Sequence, residues 1–274
     1  MSGSPRAPTR PRDFPRRSLW WFALPAGALV LLWAAPIAAL LLRGASANLV
    51  QYLRDPMVQH ALRLSLVTSA AASLIAVVCG TPLAYSLARW EFPGRRTIES
   101  LIDLTLVLPP AVVGVALLIA FGRRGLFGPA LGAIGVSLPF TTVAVVMAQL
   151  FVAAPFFVRA ARIAFDAIAP QIEEAAAILG ASPWQLVRFI MLPMARRGLL
   201  AGLILCWTRA LSEFGATILF AGNMPGRTQT MPLAIYLGFE SNVGVALALS
   251  VILLGVSAVL LFALRRFERE PILS

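Results

Sequence analysis

Lysine is absent from this chain of 274 residues, histidine occurs once and cysteine twice. Each shortage closes a class of function. Without lysine there can be no Gly-x-x-x-x-Gly-Lys-Ser/Thr loop, because that motif places the ammonium group on the nucleotide phosphates. The chain is therefore expected to bind no nucleotide cofactor of its own. His60 alone cannot build a histidine metal cluster, nor serve a Ser/His/Asp or Cys/His catalytic set that the rest of the sequence fails to supply, so neither a metal site nor an enzyme is expected. Cys79 and Cys206 fall inside apolar runs and read as small buried hydrophobes rather than a disulfide framework. Charge is scarce as well. Only 13% of residues are charged and 59% are hydrophobic, whereas a soluble domain carries roughly a quarter charged residues. A chain so composed exposes much of its surface to lipid.

What is present fits that reading. Apolar runs occupy Leu19 to Leu42 and, approximately, 61–88, 98–121, 137–158, 197–221 and 243–264. Their lengths approach the roughly 20 residues that cross a hydrocarbon core as a helix. The expectation is an all-α integral membrane protein with six transmembrane helices, since the alternation of a transmembrane β-barrel is missing. Residues 1–18, rich in Pro, Arg and Ser, read as a disordered Arg-rich tail. A cleaved signal peptide is the rival reading of the first run, with Ala45-Ser46-Ala47 resembling a cleavage site. That run exceeds the usual 7–15 apolar residues of a signal peptide, so 19–42 is taken as a retained first helix. The main transmembrane domain is placed at 57–265, with a loop at 165–195 and a tail at 266–274.

Arginine sets the orientation. Arg6, Arg10, Arg12, Arg16, Arg17, Arg89, Arg95, Arg96, Arg159, Arg162, Arg188, Arg196, Arg197, Arg265, Arg266 and Arg269 fall on one side. Arg43, Arg54, Arg63, Arg123, Arg124 and Arg227 fall on the other. The richer side is cytoplasmic and holds both termini. The net charge of +11 then reflects cytoplasmic loops beside anionic lipid, and no nucleic-acid partner is expected.

The longest cytoplasmic connection is itself structured. Pro170 suits a first helical position, with Glu173 and Glu174 in the first turn, where the helix dipole favours anions. Ala175 and Ala176 continue the helix, and Gly180 suits a left-handed stop. Ser182, Pro183 and Gln185 form a capping-box sequence for a second helix, which Pro193 is expected to end. The result is a helix hairpin outside the membrane, with Trp184 available to a partner groove.

Glu174-Ala175-Ala176, Gly180, Ile190, Leu192 and Pro193, at these spacings, resemble the EAA signature of bacterial ABC import permeases. The resemblance implies an ABC type I importer permease fold whose cytoplasmic coupling helix hairpin (Glu173, Glu174, Ala175, Ala176, Gly180, Trp184, Ile190, Leu192, Pro193) fits a cleft on a separate ATPase. It implies ATP and Mg on that partner, two ABC ATPase subunits, a homodimer, and the bacterial cytoplasmic (inner) membrane. Two further stretches, Leu106 to Gly114 leading to Phe121-Gly122-Arg123-Arg124-Gly125, and Arg209 to Thr217 leading to Ala221 to Thr230, are similar to molybdate permeases. Sulfate permeases share softer versions of both. Molybdate, with tungstate as an alternative cargo, is the implied substrate, delivered by an extracytoplasmic binding protein. Sulfate or thiosulfate import is the runner-up. A secondary oxyanion transporter, the reading from another class, leaves the hairpin unexplained.

Within these stretches, Pro109 and Pro110 free backbone groups, and Gly114 permits close helix approach. Arg209 and Glu213 are four apart and are expected on one face of the fifth span. With Thr217 they are candidates for a translocation path or gate, the other reading of the charge pair being an interhelical tie. Arg123, Arg124 and Arg227, on the outer side, are assigned to receptor docking rather than to steering of free anion.

Overall fold

The computed structural model describes residues 20–46 and 49–269, so the tail expected over 1–18 and the chain from 270 onward lie outside the described residues. The structure divides into two compact units at Ser46. The first contains α1 (Trp20–Ser46), 27 residues with Pro25 and Pro36 inside it and Arg43 in its last turn. At 1.5 Å per residue it is about 40 Å long, enough to cross a bilayer core of about 30 Å.

All regular structure in the described part of the second unit is also helical. It begins with α2 (Leu49–Leu53) and α3 (Pro56–Arg89). Asp55 caps α3 by accepting a hydrogen bond from the Met57 amide at 2.8 Å, and Pro56 occupies the first helical position. After α3 come α4 (Arg95–Val107), α5 (Pro110–Phe121), α6 (Gly128–Ala133) and α7 (Thr142–Asp166). Among the described residues five helices are long and apolar enough to cross a membrane, and α4 with α5 forms a sixth, broken unit bent by 119°.

The bend corrects the expectation of one continuous helix over 98–121. Pro109 and Pro110 offer no N–H to the preceding turn, and each ring crowds the carbonyl four residues back. A proline also pushes the residue before it into extended backbone, and Leu108 and Pro109 have ψ of 130° and 134°. The amphipathic α4 is held to α7 by ion pairs. Glu99 bonds Arg162 at 3.0 Å and Arg95 of its own helix at 3.0 Å, and Asp103 meets Arg159 at 3.4 Å.

The chain continues through α8 (Pro170–Ile178), α9 (Pro183–Gln185), a π-helical turn (Leu186–Met191) and α10 (Leu192–Leu211). Here a second expectation fails. Pro193 does not end the helix that begins at Pro183; the helix runs on to Leu211 as one span. The wider π turn accommodates the proline ring, and the Leu192 amide bonds the Val187 carbonyl five residues back. A π turn of this kind preserves the helix where an α turn would clash.

The fold is completed by α11 (Gly215–Phe220), α12 (Met231–Ser241) and α13 (Val243–Arg269). The main core lies among α3, α7 and α10, where Phe157, Phe165, Leu87, Met191 and Cys206 are fully buried. Small residues on α3 allow this approach: Ser65, Ser69, Ala72, Ser73, Ala76 and Ala84 all face inward. Their hydroxyls are used. Ser65 Oγ accepts the Met231 amide at 2.6 Å, and Ser69 Oγ accepts Trp207 Nε1 at 2.9 Å, as polar atoms remote from water must be.

Candidate functional site

The hairpin after α7 is built as its punctuation suggests. At the end of α8, the Ala181 amide bonds the Ala176 carbonyl and the Gly180 amide bonds the Ala177 carbonyl, both at 3.0 Å, which is a Schellman stop. Gly180 has φ of +81°. Ser182 Oγ accepts the Gln185 amide at 3.3 Å while Gln185 Oε1 accepts the Ser182 amide at 2.8 Å, completing the capping box.

The hairpin presents two unlike faces. Ala176 is buried, Ile172 and Leu186 pack on the main core, and Glu173 pairs with Arg89 at the end of α3. Glu174, Ala175 and Gly180 face outward, as do Trp184 and Pro193, while Ile190 and Leu192 are half-buried in and beside the π turn. Ile178 and Leu179, flanking the stop, are 86% and 87% exposed, and Phe189 is 66% exposed. Arg188 lies over both Trp184 and Phe189, 6.0 and 5.7 Å from their ring centroids. The sequence reading missed Ile178, Leu179, Arg188 and Phe189. The available signal was an Ile-Leu pair directly before a helix-stopping glycine, where nothing of the hairpin itself could cover it. An apolar patch with a cation at its rim, carried on a rigid hairpin, is suited to docking.

The second candidate region forms where α5, the second half of the broken span, meets the short α11. Pro110 and Gly114 on α5 lie against Gly215 and Ala216 on α11. A Cβ added to Gly114 would sit 2.9 Å from the Ala216 carbonyl oxygen and 2.8 Å from Leu219 Cβ; one added to Gly215 would meet Pro110 Cβ at 2.9 Å. Thus two stretches a hundred residues apart in sequence form one seam, and Val113, Leu117, Ala216 and Phe220 fill its core with residues of α7.

Arg209 and Glu213 are also joined, at 2.8 Å between Nη1 and Oε2. They are not side by side on one helix, as expected, because α10 stops at Leu211. Glu213 instead lies in the gap between α10 and α11, where its Oε1 accepts the Ala216 amide at 2.8 Å. One carboxylate therefore satisfies the start of α11 and the guanidinium in the last turn of α10, a favourable place for a cation. Glu213 is fully buried, while the Arg209 side chain keeps 26% of its surface. Thr217 is buried on α11 with its hydroxyl unbonded to the described residues. Pro109 is exposed at the bend.

Arg123, Arg124 and Arg227 are all exposed. Their segments are stitched together by Arg123 Nε on Ser137 Oγ at 3.3 Å, by the Phe140 amide on the Phe220 carbonyl at 3.3 Å, and by Thr142 Oγ1 on the Arg227 carbonyl at 3.0 Å. A cavity of about 370 Å³ opens beside Arg123, lined by Phe121, Leu131, Val136 and Ser137. Thr142 starts α7 and the hairpin follows its end. The arginines and the hairpin are therefore separated by the 25 residues of α7, about 37 Å of helix.

Residues 80–270 match the family described as binding-protein-dependent transport system inner membrane component. The molybdenum transport system permease protein ModB of Mycobacterium tuberculosis is 41% identical over 262 residues, 96% of this chain and 97% of that one. The molybdate/tungstate permease WtpB of Thermococcus kodakarensis is 37% identical over 91% of this chain and 96% of its own length. The sulfate permease CysT of Escherichia coli is 33% identical over 92% and 94%. Among solved structures, a bacterial ABC transporter involved in alginate import superposes with a TM-score of 0.77 at 18% identity, covering 93% of this chain and 96% of that one. With the apolar spans, the hairpin and these similarities taken together, the chain belongs to the inner-membrane components of binding-protein-dependent transport systems.

Proposed function

We propose that this chain is the permease of an ATP-driven importer that carries molybdate, and tungstate with it, across the bacterial cytoplasmic membrane. The observation that carries the proposal is the outward face of the hairpin: Glu174, Ile178, Leu179 and Trp184 are held rigidly beyond the spans with nothing of the hairpin's own to cover them. In this reading two separate ATPase subunits bind two copies of the chain through that face and hydrolyse ATP with Mg. Both termini are cytoplasmic, and an extracytoplasmic molybdate-binding protein docks at the opposite end, on Arg123, Arg124 and Arg227. Exposed cations there suit acidic groups on a receptor, and mismatched partners are rejected by charge.

Between the two ends, the α5/α11 seam and Arg209 form the path or gate. A guanidinium inside a membrane protein is costly unless paired, and Glu213 supplies that pairing in this chain. The side-chain surface that Arg209 retains can contact a passing oxyanion through its remaining N–H donors. The identity of the relatives favours molybdate over sulfate. Uptake of labelled molybdate at nanomolar concentration is expected to require this gene and to survive excess sulfate. Uptake abolished by sulfate would instead assign the sulfate branch, and absence of gene-dependent uptake of either anion would refute the oxyanion assignment.

Gly180 tests the coupling role separately. Nothing lies within 4 Å of a Cβ built there, so a substitution meets only the torsional cost of its left-handed backbone, about 1–2 kcal/mol. Gly180→Asp is expected to displace the hairpin and reduce uptake per ATP hydrolysed. Gly180→Val should do so more severely and Gly180→Asn least, because β-branched residues resist positive φ and Asn tolerates it. Equal activity across the three would remove Gly180 from the coupling element.

A further inference from the structure

The two arms of the hairpin are attached to the membrane helices in different ways. The second arm is covalently continuous with α10 through the π turn. The first arm, α8, meets α3 through one ion pair. Arg89, the last residue of α3, places Nε 2.5 Å from Glu173 Oε1 and donates from Nη2 to the Ile168 carbonyl at 2.8 Å. The two ion-paired atoms are withdrawn from solvent. The side chains retain 11% and 21% of their surface. Arg89 thereby grips both the turn that leads out of α7 and the first turn of α8.

Tyr85, one helical turn earlier on α3, packs edge-on against Phe165 of α7 at 5.4 Å and against Trp90 at 6.0 Å, which holds the end of α3 in place around Arg89. The remaining attachment of α8 is apolar, through Ile172 and Ala176. Apolar contacts are non-directional and let helices slide; an ion pair whose charged atoms are withdrawn from water resists being pulled apart, because separation strands a charge.

We infer that the Arg89–Glu173 pair is the strut that couples the ATPase-docking hairpin to α3, so that one movement of the hairpin drives α3 and α10 together. Without it, a push on the hairpin turns α8 about the π turn and moves α10 alone. Glu173 is thus a positioning residue, distinct from its neighbour Glu174, which faces the partner. This inference rests on the hairpin being the coupling element of an importer.

The test uses the assembled transporter in proteoliposomes, with its ATPase subunits and binding protein, measuring labelled molybdate uptake and ATP hydrolysis together. Glu173→Ala and Arg89→Ala should keep the ATPase bound and hydrolysing, because the docking face is untouched. ATP consumed per anion should rise about tenfold, within the range of coupling between distant sites. The exchange Arg89→Glu with Glu173→Arg should restore much of the ratio. If the single variants fail to assemble, the apolar pair Arg89→Met with Glu173→Leu leaves no unpaired buried charge and should assemble, yet keep the raised ratio. A wild-type ratio in either single variant or in the apolar pair would overturn the strut. So would an exchange no better than the single variants. Wild-type transporter that moves no anion would instead refute the proposed function and leave the strut's geometry intact.

Discussion

Replacing Gly114 by leucine will dismantle the seam between α5 and α11. A Cβ at this position meets the Ala216 carbonyl oxygen at 2.9 Å and its Cα at 3.0 Å, and these backbone atoms have no rotamer through which to yield. On the far side α11 cannot retreat freely. Its first turn is held by Glu213 on the Ala216 amide, and its last carbonyl accepts the Phe140 amide. Overpacking costs about 1–3 kcal/mol where side chains can adjust, so about 3 kcal/mol is expected at a backbone contact. For a chain of this size each kcal/mol lowers the unfolding midpoint by about 2–4 °C, and the purified protein should melt roughly 6–12 °C lower in detergent. Gly114→Ala should show a smaller loss. Gly132→Ala is the control, since nothing lies within 4 Å of a Cβ there. Uptake should fall with stability, because the seam joins both stretches assigned to the path. A Gly114→Leu protein with an unchanged midpoint would show that α5 and α11 do not interlock.

Removing the carboxylate of Glu213 is the other large perturbation. In Glu213→Ala, Arg209 loses its partner and the Ala216 amide its acceptor, both next to a buried break between helices. Breaking a buried pair by deleting one member costs about 3–5 kcal/mol, mostly from the charge left behind. Arg209 is only partly buried, which places the expected loss near about 3 kcal/mol. Glu213→Gln keeps an acceptor for the amide and should lose about half as much, in the range of hydrogen bonds to charged groups. The double variant Arg209→Met with Glu213→Gln removes the stranded charge and should recover most of the stability. In the proposed path it should nevertheless fail to transport, because the guanidinium offered to the oxyanion is gone. Thermal unfolding and uptake measured on the same preparations separate these roles. Full uptake in a stable double variant would reduce Arg209 and Glu213 to a tie between helix ends.

The parts of this protein legible in its sequence are those governed by local chemistry. A shortage of charge and long apolar runs identify a helical membrane protein, because lipid gives a backbone nothing to bond with. The caps and the turn of the hairpin were legible in the sequence, though the extent of its second arm was not. Pro170, Gly180, Ser182 and Gln185 act within one or two helical turns, where capping rules need no knowledge of the rest of the fold.

Other features depend on which segments meet, and sequence periodicity carries no such information. Pro109-Pro110 reads as freeing backbone groups inside one span over 98–121, whereas the chain breaks there with a bend of 119°, which depends on where α4 and α5 find their packing partners. Pro193 looked like a terminus and is not one, because packing on both sides keeps the helix continuous and a π turn absorbs the missing donor. Spacing put Arg209 and Glu213 on one face of one helix; they pair instead across a helix break, and the carboxylate's second bond depends on α10 ending at Leu211 and α11 beginning at Gly215. The facing of Gly114 on Ala216 and of Arg89 on Glu173 joins residues far apart in the chain. By itself, then, the sequence determined the solvent in which this chain folds, its helical elements and the hairpin it presents. The tertiary structure alone decided which breaks became a seam and which arginine became the strut, because close packing selects contacts by shape across the whole fold.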